Sequence, residues 1–237
     1  MLNNILKLLD SVNSSWEDIK NEIDILPVNY KDPRGLTLVG WLIKLEFITC
    51  DIRERALVYL LEKGYDIDNI DNNHETPLIY SCKADKEDVA RLLIDNKANI
   101  NIYDDFNDSP LMWSAYKGNL SLVKYLVENG ADVNHKYRDG KNALMWACKR
   151  NHIEIVKYLL NFTIDISMVD SRDENLLQIT QNEELKNIIR EWLIQNKLCF
   201  IKSFRDKFSE NLLYERQLTK KILDYYFLEN KPNPFKL

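Results

Sequence analysis

The residues of this chain whose types could hold a metal or act as nucleophiles are four cysteines, Cys50, Cys82, Cys148 and Cys199, and three histidines, His74, His135 and His152. Their spacing supports neither role. There is no CxxC pair, the histidines add no zinc-ligand pattern, and the cysteines suggest no disulfide framework, so a reducing compartment is expected. Cys82 and Cys148 take equivalent places in two copies of a recurring phrase where a third copy has Ala115. That substitution pattern is the one a small buried residue shows. His152 adjoins a turn, while His74 and His135 fall in loops with no cysteine or serine partner in the pattern. Only six glycines are present, and none forms a phosphate-cradling loop. No catalytic residue, cofactor-binding residue or metal ligand is assigned. An enzyme would need a site built wholly from the ends of the chain.

A chemistry of recognition recurs instead, at a fixed interval. Tyr80, Trp113 and Trp146 follow one another at a spacing of 33, and Lys83, Tyr116 and Lys149 lie three residues beyond them. Aromatic rings bury much area with few rotors, which makes them rich in binding energy, and cations at their edges suit a polar partner. The competing reading is that the rings pack between neighbouring units; the two are compatible where one ring face stays open. Between the copies lie short polar stretches that differ from one another, "DNNHE" at 71–75, "DDFND" at 104–108, "YRDGK" at 137–141 and "DSRDE" at 170–174. Exposed variation on a constant framework is where specificity commonly resides. Phe106 is a large apolar residue among polar neighbours, and Arg138, Lys149 and Arg150, with Lys83 and Lys117, set basic groups beside acidic ones. The candidate partner-binding residues are therefore Tyr80, Phe106, Trp113, Tyr116, Arg138, Trp146, Lys149 and Arg150.

These side chains must be positioned by a repeated element. "SPLMWSAYKGNLSLVKYLVENGADVN" from Ser109 returns as "NALMWACKRNHIEIVKYLLNFTIDIS" from Asn142, is preceded by "TPLIYSCKADKEDVARLLIDNKANIN" from Thr76, and is followed by a degenerate copy from Asn175. Each copy opens on a residue whose side chain accepts a hydrogen bond from the free N–H groups of a helix's first turn. Pro77 and Pro110 come next, where a fixed φ favours the first turn and a missing N–H costs nothing. A turn is predicted where Asp85, Gly118 and Asn151 tolerate a left-handed conformation. The second helix carries Val89, Leu92 and Leu93, then Val123, Leu126 and Val127, then Val156, Leu159 and Leu160, the spacing of one buried stripe. Gly130 is placed to terminate such a helix. An earlier copy is capped by Thr37, but Thr37 precedes Thr76 by 39 residues, so an insert is predicted in "KLEFITCDIRER", between its two helices.

With a period of 33, Thr-Pro-Leu opening a helix and "NGADVN" closing the next, residues 30–195 resemble ankyrin repeats. The resemblance implies an all-α ankyrin-repeat solenoid of about five repeats, the fifth worn, in which first helices and finger loops line a concave side. A single copy cannot bury its apolar face, so copies stack and each supplies the other's core. The histidine usual after Thr-Pro-Leu is replaced by Ile79, Met112, Met145 and Gln178, which removes the buried hydrogen bonds that histidine makes in the family. The family also implies partner recognition without chemistry.

The ends are assigned as caps. Residues 1–29 form an N-terminal helical cap, with Ser14 and Glu17 spaced as a capping box. Residues 30–195 are the repeats, and 196–237 are a C-terminal helical extension read as helices at 197–208 and 211–228, where Tyr225, Tyr226 and Phe227 offer a second possible binding element. The formal charge of −5 gives no basic footprint, so nucleic acid is not an expected partner. No apolar run reaches the length of a membrane span and no secretory leader is legible. The chain is expected to be cytoplasmic, in its own cell or a host's, monomeric alone, free of cofactors, and an adaptor or inhibitor that binds one protein partner. The alternative is a pathogen or symbiont effector, favoured by abundant Asn, Ile and Lys, whose C-terminal helices recruit a second factor.

Overall fold

A side-chain oxygen stands at the start of every first helix. In the computed structural model, which describes residues 16–28, 30–45, 50–162, 170–172 and 174–207, Thr37, Thr76, Ser109 and Asn142 each accept the N–H of the residue three positions on, at 3.5, 3.2, 3.1 and 3.0 Å. Asn175 closes a full capping box with Gln178. The caps satisfy donors that a helix start leaves unpaired, so they set where each helix begins.

Helix pairs follow from these starts. The chain clusters into two compact units, Met1–Asp132 and Val133–Leu237. In the first, α1 (Trp16–Ile25) precedes three pairs: α2 (Leu38–Lys44) with α3 (Cys50–Glu62), α4 (Pro77–Lys83) with α5 (Glu87–Asp95), and α6 (Pro110–Lys117) with α7 (Leu120–Glu128). In the second, α8 (Ala143–Arg150) pairs with α9 (Ile153–Leu160), and α10 (Leu176–Ile179) with α11 (Glu183–Lys207). Gly118 and Asn151 turn each first helix toward its partner at φ 88° and 65°, and Asp85 does so at 57°. The insert predicted in the first pair is found there: α3 has 13 residues where α5 has 9, so most of the extra length is wound into the second helix.

The core of the first unit is the set of facing stripes. Leu78, Ile79 and Cys82 of α4 and Val89, Ala90 and Leu93 of α5 are buried, as are Leu111, Met112, Leu122, Val123 and Leu126 of the next pair. α4 packs against both α5 and α6, and α5 against α7. Each pair is therefore a wall for the next, which is how short helices gain burial that none reaches alone. In the second unit Leu144, Met145, Ile155, Val156, Leu159, Leu185 and Ile189 are the counterparts. Ile79, Met112 and Met145 fill the buried position after Leu with apolar volume, while Gln178 is exposed and serves its cap.

At the N-terminal side, α1 buries Ile19 and Ile23 and lies on α3, where Trp16 meets Tyr59 edge-on at 5.8 Å and the Tyr59 hydroxyl donates to Asp24 at 2.7 Å. Lys63 pairs with the same carboxylate at 2.8 Å. Ser14 lies outside the described residues. The helix read for 197–208 is not a separate element: α11 continues unbroken from Glu183 to Lys207, across the 195/196 boundary. Nothing in that stretch is Gly or Pro, so the end of the repeat pattern brings no local reason for the helix to stop. The segment read as 211–228, with Tyr225 to Phe227, lies outside the described residues.

The finger loops are built on one turn. Asp32, Asp71, Asp104 and Asp170 each use Oδ1 to accept two backbone N–H groups, from the residues two and four positions on, at 2.8–3.0 Å. These aspartates are buried, so the tips are not exposed along their whole length as the polar sequence suggests. Gly35, His74 and Asn107 take φ of 80°, 55° and 69° to close the first three loops. At Gly35 a Cβ would stand 2.5 Å from Asn72 Oδ1 and 2.9 Å from Asn72 N, because Asn72 N–H donates to Arg34 O across the two fingers at 2.9 Å. The finger at 137–141 has Tyr137 in place of the aspartate; there Lys141 N–H donates instead to Asp139 Oδ1 at 3.1 Å.

Candidate protein-binding surface

Four residues past each cap stands a ring on the side of the helix that the fingers reach. In the first unit these are Trp41, Tyr80 and Trp113, all half-buried. Trp41 escapes a search at a spacing of 33 because the insert in α3 displaces it; counting from the cap Thr37 would have found it. Each ring carries a cation on one face. The Arg34 guanidinium lies 4.5 Å from the Trp41 ring centre, Lys44 Nζ 4.4 Å from Tyr80, and Lys83 Nζ 5.0 Å from Trp113. Lys44 and Lys83 belong to the preceding helix pair, so these contacts, each favourable through the ring quadrupole, tie neighbouring pairs together. Tyr116 meets Trp113 edge-on at 5.9 Å. The indole N–H groups of Trp41 and Trp113 are buried with no hydrogen-bond acceptor.

Each of these cations is matched by a carboxylate beneath it. Arg34 Nε lies 3.2 Å from Asp32, Lys44 Nζ 3.7 Å from Asp71, and Lys83 Nζ 2.5 Å from Glu75. The Arg34 and Lys83 side chains are 61% and 41% exposed, but their carboxylate partners only 5% and 10%. Burial tends to raise the Asp32 pKa, yet the Leu36 and Arg34 N–H donors and the Arg34 guanidinium hold it below the ordinary value. Phe106, at the adjoining finger, is 56% exposed, and its neighbour Asp105 pairs with His74 Nδ1 of the previous finger at 2.7 Å.

The second unit has its own ring. Trp146 of α8 is half-buried, with Lys149 Nζ 5.0 Å and Lys141 Nζ 5.8 Å from its centre and Tyr137 edge-on at 6.3 Å. Lys149, Arg150 and Arg138 are exposed. Lys141 is not a surface cation: it is buried and pairs with Asp170 at 3.1 Å and with Asp139. Burial acts to lower the Lys141 pKa, but the two carboxylates outweigh it and raise the value. Asp170, where burial acts upward, is held below the ordinary carboxylate value by Glu174 N–H, Lys141 and Arg172 N–H.

Cys82 and Cys148 are free and buried, and burial pushes both thiols up to about 12, far from the thiolate a nucleophile needs. His152 sits at the start of α9 without a side-chain cap bond. Among the described residues no group of three or more His, Cys, Asp or Glu could hold a metal ion, and no helix is long and apolar enough to cross a membrane. What each unit offers chemically is polarised rings with cations on their faces, beside loops of variable sequence.

Capped helix pairs joined by fingers, packed pair on pair within each unit, define a helical-repeat protein. Residues 47–137 and 111–202 match the family described as ankyrin repeats (3 copies), well over half of the chain. The protein therefore belongs to the ankyrin-repeat family, whose members are typically non-catalytic protein-interaction modules. No curated protein matches the chain.

Proposed function

We propose that this protein binds a protein partner through the first-helix and finger face, as an adaptor or inhibitor without catalytic activity. The observation that carries the reading is the placing of Trp41, Tyr80 and Trp113 at the same step after three successive caps, each half-buried under a cation. Rings used for packing alone have no need of an open edge, whereas a contact surface gains from rigid, partly exposed aromatic groups. The exposed Phe106 beside them, and Trp146 with exposed Lys149, Arg150 and Arg138 in the second unit, support the same use. In this reading α1 and the C-terminal residues from 196 onward act as caps, supported at the N-terminal side by the packing of α1 on α3.

The test is affinity capture from a cell extract with the parent and with Trp113→Ala and Trp146→Ala proteins, quantified protein by protein. A partner retained by the parent and lost from both folded variants supports the reading. Equal retention by all three directs the search to the outer helices.

A further inference from the structure

The two faces of the first unit arrange their charges differently. On the outer helices the carboxylates are as exposed as the cations or more so: Arg55 and Asp51 are both exposed, Arg91 and Glu87 are equally shielded, and Arg53 is buried beneath an exposed Asp88. On the ring-bearing face the layers are sorted. In each pair the cation is the more exposed member: Arg34 and Lys83 are exposed, Lys44 is partly shielded, and Asp32, Asp71 and Glu75 lie beneath them. At these three pairs an arriving chain meets the cation before the carboxylate, although the whole protein carries −5 and Asp105 of the 104–108 finger is exposed beside His74.

We propose that this face takes an acidic peptide segment, laid across α2, α4 and α6 with its carboxylates on Arg34, Lys44 and Lys83. This rests on the reading that the face binds protein, and it names the partner's chemistry. A lysine ammonium has three donors and an arginine five. The carboxylates below Arg34 and Lys83 lie on the inner side, so donors remain directed outward. A basic segment would be repelled by the outer layer, and an apolar one would strip water from the cations without replacing its hydrogen bonds. A nucleic acid strand fits poorly, because each ring already carries a cation on one face where a base would stack.

The spacing sets the pattern of the segment. Packed helices lie about 8–10 Å apart, and an extended chain advances about 3.3 Å per residue. Three residues then span one helix pair, so the segment carries Asp or Glu at every third position over three turns of the repeat. The two residues between each pair of acids lie against the ring edges and the shallow groove lined by Thr37, Gly40 and Tyr80.

The experiment is selection of a random peptide display library on the biotinylated full-length protein, followed by synthesis of the enriched peptides and fluorescence-anisotropy titration. The expected result is enrichment of Asp or Glu at i, i+3 and i+6. Replacing those acids by Asn or Gln should weaken binding at least tenfold, as should Lys83→Met and Arg34→Gln, while Arg55→Gln on α3 leaves it unchanged. Circular dichroism establishes that each variant is folded, and Arg34→Gln, at the most exposed of the three cations, keeps the test in hand if Lys83→Met is not. Enriched peptides that are neutral or basic, yet depend on Trp113, overturn the acidic partner and leave the protein-binding reading standing. Peptides insensitive to Trp113→Ala and Lys83→Met, or no enrichment at all, overturn both. A 12-residue oligothymidylate that binds more tightly than the acidic peptides overturns the choice of peptide.

Discussion

Lys141→Met removes the buried cation of the second unit and keeps the length of its stem. The Lys141 ammonium lies 3.1 Å from Asp170, whose side chain is fully buried, and also contacts Asp139. Taking one partner from a buried ion pair costs about 3–5 kcal/mol, because the other charge is left without compensation. Asp170 keeps the N–H donors of Arg172 at 2.8 Å and Glu174 at 3.0 Å, so the lower end, about 3 kcal/mol, is expected. For a chain of this size that lowers Tm by roughly 6–12 °C. Adding Asp170→Asn removes the stranded charge, and the double variant should recover about 1 kcal/mol or more relative to the sum of the single changes. The pH dependence has a sign on each side. Asp170 is held below its ordinary value of 3.8, so its contribution is present above that pH and is lost as pH falls through the lower folded value. Lys141 is raised above 10.5, so its contribution is complete below that pH and is lost as pH rises through the folded value. The assay is urea unfolding followed by circular dichroism from pH 3 to 11. A Lys141→Met midpoint equal to the parent's at pH 7, or a double variant no more stable than additivity predicts, would refute the buried-pair account.

Other outcomes are specific to single positions. Leu126→Ala, at a fully buried site of α7, should cost about 2–5 kcal/mol in urea unfolding. Asp104→Ala removes the acceptor of two finger N–H groups and should cost about 2 kcal/mol, whereas Phe106→Ala, two residues away and exposed, should stay within about 0.5 kcal/mol of the parent. In a Cys50→Ser, Cys199→Ser background, Cys82 and Cys148 should resist a thiol reagent at pH 8 until the protein unfolds, since both thiols are buried and pushed up to about 12; prompt reaction of the native protein contradicts this. Gly35→Ala combines a positive φ with a Cβ 2.5 Å from Asn72 Oδ1 and should cost about 1–2 kcal/mol or more in the same unfolding assay.

Features decided within a few residues were legible in the sequence. The caps Thr37, Thr76, Ser109, Asn142 and Asn175, the left-handed turns at Asp85, Gly118 and Asn151, and the location of the insert all follow from side-chain acceptors, steric freedom and apolar spacing. Trp41 was hidden because a fixed period was followed where the cap was the true reference point. The finger aspartates were hidden because a charged residue in a polar stretch reads as exposed, while Asp71 and Asp104 are buried acceptors of their own loops. Lys44 over Tyr80 and Lys83 over Trp113 join one helix pair to the next, and a contact between copies is invisible in the pattern of a single copy. The unbroken α11 shows the converse: loss of the repeat pattern ends a family resemblance without ending a helix.

Docking of a protein partner on the first-helix and finger face leaves a footprint on the backbone. Amide hydrogen exchange of the full-length protein, with and without a captured partner or selected peptide, tests it most directly by reporting which backbone groups become protected. Added protection is expected at the fingers 71–75 and 104–108 and in α4 and α6, with α5 and α7 unchanged. Protection confined to α5 and α7, with the fingers exchanging as in the free protein, would contradict it.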